Sequence, residues 1–557
     1  MRTLGELCLS ASKRYKDRPA FAMFNSGKIG RQITYTQMGS RAKQIGMFLR
    51  KIGVEDGGKV LLLSENCPEW PLAYFGIALA GAVSVPLLTG FSIEQIHNIT
   101  IHCEASVICV SRAMLVKLTE NAALHETFGI SQNNDSSVSA FSNIPIVIID
   151  SMAGNDYSPE IVVVLNGVEK RVSLHPVKDC ITYSRQNPDD LASIIYTSGT
   201  QGNSKGVMLS GRNLISSALS TLAFGKLYPR DVLLSVLPLA HSYECSIGFL
   251  APVISGSSIT YLDRPPSPVV LLPALKVLRP TVMVTVPILI EKIYRNAIAP
   301  KLNNNILYKF APTRRIAIWF AGRKLFSALG GRVRIFGIGG APLSPEVEKF
   351  LHRAGFPYTI GYGLTETSPL VAGNSPRRFK FGSGIVAAKG VMIRILKTGI
   401  DTDEGEIQVK GPNVMQGYYN DKERTTETFT SDGWLRTGDL GRISKKGKLH
   451  IRGRLKALIL SPSGENIYPE EIEGLLGSSQ LVEDVLVYSG EKGELIALVK
   501  LNEAAKAAAG VIEQKLEDLR TWVNKKLAVF SRLSRIDIKQ EPFEKTPTMK
   551  IKRYLYL

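Results

Sequence analysis

At 557 residues, 44% of them apolar, the chain exceeds one ordinary core and is no disordered polymer, so two or more packed domains are expected. Its 68 basic residues against 49 acidic ones leave a net charge of +19, which favours polyanionic partners; with no zinc finger or aromatic RNA-binding motif, nucleic acid is set aside. Six cysteines without a C-x-x-C pair and seven scattered histidines argue against a disulfide framework and a zinc site, and fit a reducing, cytoplasmic setting.

The opening MRTLGEL does not read as a signal peptide, because Glu6, Lys13 and Arg14 interrupt any apolar core. Residues 4–15 are predicted as an amphipathic helix, 31–36 as a strand leading into a helix over 37–52, and 59–63 as a buried strand. Residues 71–93 carry no charge over 23 positions, enough to raise a transmembrane helix. Gly76, Gly81, Pro86 and Gly90 interrupt that stretch and 82–85 has strand character, so a buried helix followed by a buried strand is expected instead. Strand-like runs at 107–110 and 145–149 keep the alternation going, which argues an α/β fold with largely parallel sheets. The polar residues 131–139 are expected as an exposed loop.

Residues 196–206 read YTSGTQGNSKG and follow an apolar run at 191–195. Glycines let a backbone turn its N–H groups toward an anion, the hydroxyls of Thr197, Ser198 and Thr200 donate to anionic oxygens, and Lys205 adds a positive charge. Such a loop suits a polyphosphate, although it lacks the G-x-x-x-x-G-K-[ST] order of a Walker A loop. By composition alone it reads equally as a Gly/Ser surface turn. The stretch resembles the phosphate-loop signature of the adenylate-forming enzymes: acyl-CoA synthetases, peptide-synthetase adenylation domains and luciferases. Gln201 stands where that family usually has Thr, and Ser204 where it usually has Pro. The resemblance implies that Thr197, Ser198, Gly199, Thr200, Gly202 and Lys205 hold the phosphates of ATP, with Thr200 also on the metal side.

Further motifs follow in the family's order. SVLPLAHSYE at 235–244 matches its Pro-x-x-His, which implies that His241 borders the carboxylate substrate; without the resemblance a core histidine is the plainer reading. Residues 261–266 and 279–287 look like the long-chain fatty acyl-CoA synthetase branch. The turn at Gly339, Gly340 and Ala341 resembles the family's adenine-side turn, with Ser344 set to cap the helix after it. YTIGYGLTET at 358–367 matches Y-G-x-T-E. This implies Tyr362 and Gly363 beside adenine, Thr365 on the α-phosphate and Glu366 as a hard oxygen ligand for Mg²⁺. Residues 405–412 with Gly417 and Tyr418 resemble a scaffold strand of the family. Asp439, in GWLRTGD, fits the aspartate that accepts both ribose hydroxyls. In IRGRLK at 451–456, Arg454 matches a ribose contact and Lys456 the hinge at which the family changes orientation. Gly464 and Glu465 fall where the family lines its pantetheine tunnel for coenzyme A. Lys550, in FEKTPTMKIKR, falls on the family's catalytic lysine, with Met549 in place of the usual Gly.

The resemblance therefore implies an α/β protein with a large N-terminal adenylate-forming domain of stacked sheets and flanking helices, residues 1–455. A small mobile α+β C-terminal domain, residues 456–557, completes it. The implied activity joins a long-chain fatty acid to coenzyme A, with ATP and Mg²⁺, through an acyl-adenylate. Delivery of the acyl group to a carrier-protein thiol, or a non-catalytic acyl-lipid-binding role, are the alternatives. Residues 301–334 hold eight basic side chains and no acid, with Trp319, Phe320, Leu325 and Phe326 among them. They are read either as a peripheral contact with an anionic membrane or as a solvated helix face.

Overall fold

A computed structural model describes residues 3–119, 144–150, 160–165, 168–173, 187–197, 204–310, 312–376, 379–397, 403–460, 466–479, 481–490, 494–502, 512–546 and 550–556. The predicted loop at 131–139 lies outside them. Among these residues the strands form two nine-stranded sheets, a four-stranded sheet, a three-stranded sheet and a two-stranded ribbon.

One large sheet runs, in spatial order, Gly417–Tyr418, Lys205–Ser210, Leu191–Thr197, Val83–Leu87, Lys59–Leu63, Ala105–Val110, Ile146–Ile148, Glu160–Leu165, Val168–Ser173. The five strands from Leu191–Thr197 to Ile146–Ile148 are parallel, and antiparallel strands finish both edges. The other runs Val386–Ala387, Leu370–Gly373, Tyr358–Gly363, Ile335–Ile338, Val282–Thr285, Val232–Leu234, Ser258–Leu262, Pro19–Asn25, Lys28–Thr34, parallel through its middle. Parallel strands are covered on both faces, which is why Lys59–Leu63 and Val282–Thr285 read as continuous apolar runs rather than alternating ones.

The helix Glu69–Leu79 is buried along its whole length and shares one core with Val60 and Leu62 of the first sheet and Phe21, Leu233 and Tyr261 of the second. With the strand Val83–Leu87 it accounts for the uncharged stretch, as expected from its glycines and proline. It crosses the helix Tyr35–Lys51 at backbone distance. A Cβ on Gly76 would lie 2.5 Å from Ile45 Cγ2, so glycine is required there.

The predicted helix over 4–15 has those bounds. The junction predicted at 36/37 comes two residues earlier, because Thr34 caps the helix Tyr35–Lys51: its hydroxyl accepts the Gln37 N–H, and the Gln37 side chain accepts the Thr34 N–H. Ser344 does precede the helix Pro345–Arg353, but its side chain makes no cap bond; its N–H donates to Glu291 Oε1 at 2.8 Å. In the basic stretch, the helix Arg314–Ala328 packs Ala317, Ile318, Gly322 and Leu325 inward and exposes Arg314, Arg315, Arg323 and Lys324. Ile316, Trp319 and Phe320 are exposed too, so apolar side chains lie on both faces and the amphipathic separation is incomplete.

After the antiparallel sheet Met392–Lys397, Gly405–Lys410, Leu435–Ile443, Leu449–Arg454, the chain builds a second core of its own. Strands Val482–Ser489, Leu495–Leu501 and Arg535–Ile538 enclose Val487 and Val499 with Ile472, Leu516 and Val523 from helices Pro469–Leu476 and Ile512–Asn524. Ion pairs Arg553–Glu473 (2.6 Å) and Lys545–Asp484 (2.7 Å) tie the last residues to this unit and thereby set the position of Lys550 between them.

Candidate functional site

The strands Leu191–Thr197 and Lys205–Ser210 pair antiparallel with Thr197 opposite Lys205, so the glycine-rich stretch is the connection between them. Ser198, Gly199, Thr200 and Gly202 lie outside the described residues, as do Gly464 and Glu465. Thr197 and Lys205 mark where that connection leaves and rejoins the sheet. Lys205 Nζ stands 3.4 Å from the Tyr418 hydroxyl and 4.8 Å from the centre of its ring. Burial holds the Lys205 ammonium below its ordinary value; Glu366 opposes that, while Arg424, Lys456 and Arg454 add to it.

Strand ends of the second sheet bring the next group. Gly339 follows Ile335–Ile338 and is buried; a Cβ there would meet the Tyr243 ring at 3.2 Å and the Gly361 carbonyl at 3.3 Å. Gly340 has φ +86°, a left-handed backbone that favours glycine, and with Ala341 it is exposed. One strand over, a side chain on Gly363 would collide with the Pro369 carbonyl. The chain then turns through Thr365–Thr367, so Thr365 and Glu366 stand at the mouth of the sheet. The Ser242 hydroxyl donates to Thr365 Oγ1 at 3.3 Å, and the Tyr418 hydroxyl donates to Glu366 Oε1 at 2.9 Å.

His241 sits on the loop after Val232–Leu234. Asn66 holds this loop, donating to the Leu237 carbonyl at 2.6 Å and accepting the Leu239 N–H at 2.8 Å. The Tyr243 N–H donates to His241 Nδ1 at 3.2 Å, which leaves Nε2 to carry the proton of the neutral ring. Burial, with the nearby Lys550 charge in second place, pushes His241 down to about 4, so the ring is neutral at neutral pH. Behind it Glu244 is buried, accepts the Ser235 hydroxyl at 2.5 Å through Oε1, and has no partner for Oε2 among the described residues.

Asp439 pairs with Arg454 across the strands Leu435–Ile443 and Leu449–Arg454. Arg454 Nε lies 3.2 Å from Asp439 Oδ1, and the Tyr362 hydroxyl donates to Oδ2 at 2.8 Å. Burial raises the Asp439 carboxyl, against the pull of Arg454, Tyr362 and Lys550. Lys456 is exposed in the turn Leu455–Ala457. Lys550 reaches into the same space from the second core: desolvation, then Arg454, lowers its ammonium, while Asp439 and Glu366 raise it. Solvent still reaches this side chain, so it stands in an open cleft whose walls are close.

Thus the charges of Lys205, Glu366, Asp439, Arg454 and Lys550 act on one another in overlapping sets, His241 feels that of Lys550, and Thr197 and Thr365 adjoin this group through Lys205 and Glu366. Two residues were not read as part of the site from the sequence. Tyr418, taken as scaffold, touches both Lys205 and Glu366; Arg424, on the helix Lys422–Thr428, adds its charge to Lys205. Only the aromatic after Gly417 could have hinted at the first. Among the described residues no group of three or more His, Cys, Asp or Glu could hold a metal ion alone. A lone Glu366 carboxylate fits Mg²⁺, which binds through few carboxylates together with substrate phosphates.

Residues 9–419 match the family described as AMP-binding enzyme. Among curated proteins, the peroxisomal long chain acyl-CoA synthetase 7 of Arabidopsis thaliana is 29% identical over 86% of this chain and 70% of its own length. The long-chain-fatty-acid–CoA ligase FadD15 of Mycobacterium bovis is 28% identical over 94% of this chain and 90% of its own. Among solved structures, ATP-bound MatB from Rhodopseudomonas palustris shares the fold, with a TM-score of 0.73 at 23% identity over 99% of this chain and 98% of that one.

Glu244 yields a prediction about stability. Burial pushes its carboxyl up to about 8 from an ordinary 4.5, so between those values the folded protein holds a proton that the unfolded chain has released. Stability contributed by this group therefore falls as pH rises from about 4.5 to about 8. Glu244→Gln copies the protonated acid and removes that slope. Denaturant unfolding at several pH values is expected to show the variant gaining on the parent across this window; parallel curves contradict it.

Proposed function

We infer the activity from one premise: the chain belongs to the AMP-binding enzyme family. The protein is proposed to be an ATP-dependent ligase that activates a long-chain fatty acid as acyl-AMP and transfers it to coenzyme A. One observation carries this: Lys205 and Lys550, from separate stretches, each lie within electrostatic reach of Glu366 and of the guanidinium of the Asp439–Arg454 pair. The names of the curated relatives support coenzyme A as acceptor and a long acyl chain.

A fatty carboxylate cannot acylate a thiol directly, because oxide is a poor leaving group. In the first step its oxygen bonds to the α-phosphorus of ATP, and the bond from that phosphorus to the oxygen of the departing pyrophosphate breaks. Both reactants are anions, so the barrier falls mainly through preorganised positive charge. Lys205, with Thr197 and the loop residues Ser198 to Gly202, would hold the phosphates, and Lys550 would face the carboxylate and α-phosphate. Neutral His241 would orient the acid through Nε2–H without adding charge. Asp439 and Arg454 would hold the ribose, and Tyr362 with the Gly339 to Ala341 turn the adenine. Mg²⁺ at Glu366, when bound, supplies charge neutralisation between phosphate oxygens. In the second step the thiol sulfur bonds to the acyl carbon, the carbon–oxygen bond to AMP breaks, and the thiol proton is released.

In this reading Lys550 would stand in the path of the incoming thiol. A large domain through residue 455 and a smaller one from 456, turning at Lys456, would clear that space between the two steps and bring Gly464 and Glu465 to the coenzyme. Lys550→Ala is expected to lower acyl-adenylate formation, read as fatty-acid-dependent ATP–pyrophosphate exchange, by about 10²- to 10³-fold. Thioester formation from supplied acyl-adenylate is expected to survive. Equal loss in both half-reactions contradicts the two-orientation account.

The protein is further proposed to work in the cytoplasm, peripherally on an anionic leaflet, where long-chain acids partition. No helix among the described residues is long and apolar enough to cross a membrane. The helix Arg314–Ala328, however, leaves Ile316, Trp319 and Phe320 50%, 50% and 55% exposed, with the Arg323 guanidinium 5.6 Å over the Trp319 ring. Basic residues near such a leaflet contribute about 1 kcal/mol each, screened by salt over about 8–10 Å. Co-sedimentation with anionic vesicles, released by high salt, is expected. Replacing Arg314, Arg315, Arg323 and Lys324 with Gln is expected to weaken it, and undiminished binding by that variant removes this helix from the contact.

A further inference from the structure

Opposite charges held close together in a low-dielectric site attract and pair with each other. Lys205 and Glu366 are such a pair by position, yet no direct ion pair joins them among the described residues. Tyr418 stands between. Its hydroxyl donates to Glu366 Oε1 at 2.9 Å, and Lys205 Nζ lies 3.4 Å from that Tyr418 hydroxyl oxygen and 4.8 Å from the centre of the Tyr418 ring. The aromatic face and the hydroxyl lone pairs both attract the ammonium, while the hydroxyl proton is committed to the carboxylate.

The backbone fixes this placement. Tyr418 belongs to the two-residue edge strand Gly417–Tyr418, which pairs with the strand that Lys205 begins, Tyr418 opposite Val207 and Gly417 opposite Met208. The Tyr419 N–H donates to the Gly206 carbonyl at 2.8 Å, and the Met415 N–H donates to the Glu366 carbonyl at 2.9 Å, so one short segment is stitched to both partners. Gly417 has φ +140°, and a Cβ there would lie 2.7 Å from Thr425 Cγ2. The next residue anchors the strand from the other side: the Tyr419 ring packs edge-on against His102, whose Nδ1 is 2.6 Å from the Tyr196 hydroxyl.

We propose that Tyr418 is a positioning residue for the triphosphate end of the nucleotide, holding Lys205 and Glu366 near each other but unpaired, so that each is free to take its own ligand. Lys205 then meets phosphate oxygens and Glu366 the divalent cation, without first breaking an internal ion pair. This rests on the ATP-dependent activity proposed above. It predicts a division along the nucleotide: the outer phosphates depend on Tyr418, whereas the adenosine is held by Tyr362, Asp439 and Arg454.

Calorimetric titration of the full chain with ATP and Mg²⁺, and separately with AMP, tests this with Tyr418→Phe. A hydrogen bond to a charged group is worth about a tenfold change in affinity or more. Tyr418→Phe is expected to weaken MgATP binding about tenfold or more and to leave AMP binding within about twofold of the parent. General damage to the fold would weaken both nucleotides together, and that result overturns the proposal, as does unchanged MgATP binding. In a Glu366→Gln background, where no ion pair can form, Tyr418→Phe is expected to lose most of its effect; a full tenfold effect there also overturns it. If the parent itself fails to bind MgATP, the ligase activity proposed above is what fails, and Tyr418 has no triphosphate to position.

Discussion

Arg454 repels both Lys205 and Lys550, Lys456 and Arg424 add to the repulsion on Lys205, and the carboxylates of Glu366 and Asp439 are set among these cations. Everything else in the site follows from having to hold that arrangement without water's full screening. Desolvation is the first cause of the lowered lysines and of the raised Asp439, so each charge is held at some expense by the fold around it. A polyanion relieves the repulsion on binding. Positive charge gathered before the ligand arrives is what a reaction between two anions requires, since no reorganisation is then needed at the moment of bond making.

The two nine-stranded sheets make this affordable. Their parallel strands deliver loop after loop to the same side, a general property of such sheets, and the fully buried helix Glu69–Leu79 locks the two together. Rigid strands carry Thr197, Lys205 and Asp439, and tight turns follow for Gly339 and Glu366. Lys550 alone among the charged groups comes from the separate C-terminal core, held there by Arg553–Glu473 and Lys545–Asp484. The cation carried by that core is the one that the proposed change of orientation would withdraw from the cleft.

Much of this was legible in the sequence because it depends on local pattern. The strand at Lys59–Leu63, the helix Leu4–Tyr15 and the buried nature of the uncharged stretch follow from apolar periodicity and interrupting glycines. Lys205, His241, Glu366, Asp439 and Lys550 were marked by motif. What escaped depends on pairing across long separations. Tyr418 becomes part of the site only because its edge strand pairs with Val207 and Met208, more than two hundred positions earlier, which points its ring at Lys205 and Glu366. Glu244 follows His241 by three positions, yet its burial and raised carboxyl arise from sheet packing that no local pattern encodes. The helix Arg314–Ala328 shows the converse: its charge was plain, but which of its apolar residues face outward was set by packing.

The central claim is that the carboxylate oxygen of a fatty acid becomes bonded to the α-phosphorus of ATP. Turnover of a long-chain acid carrying ¹⁸O in both carboxylate oxygens, with ATP, Mg²⁺ and coenzyme A, followed by mass spectrometry of the nucleotide and phosphate products, tests it directly. One ¹⁸O per turnover in AMP, with unlabelled pyrophosphate, is the predicted result. Formation of ADP with ¹⁸O in inorganic phosphate would mean that the γ-phosphate is attacked instead, and would contradict the account.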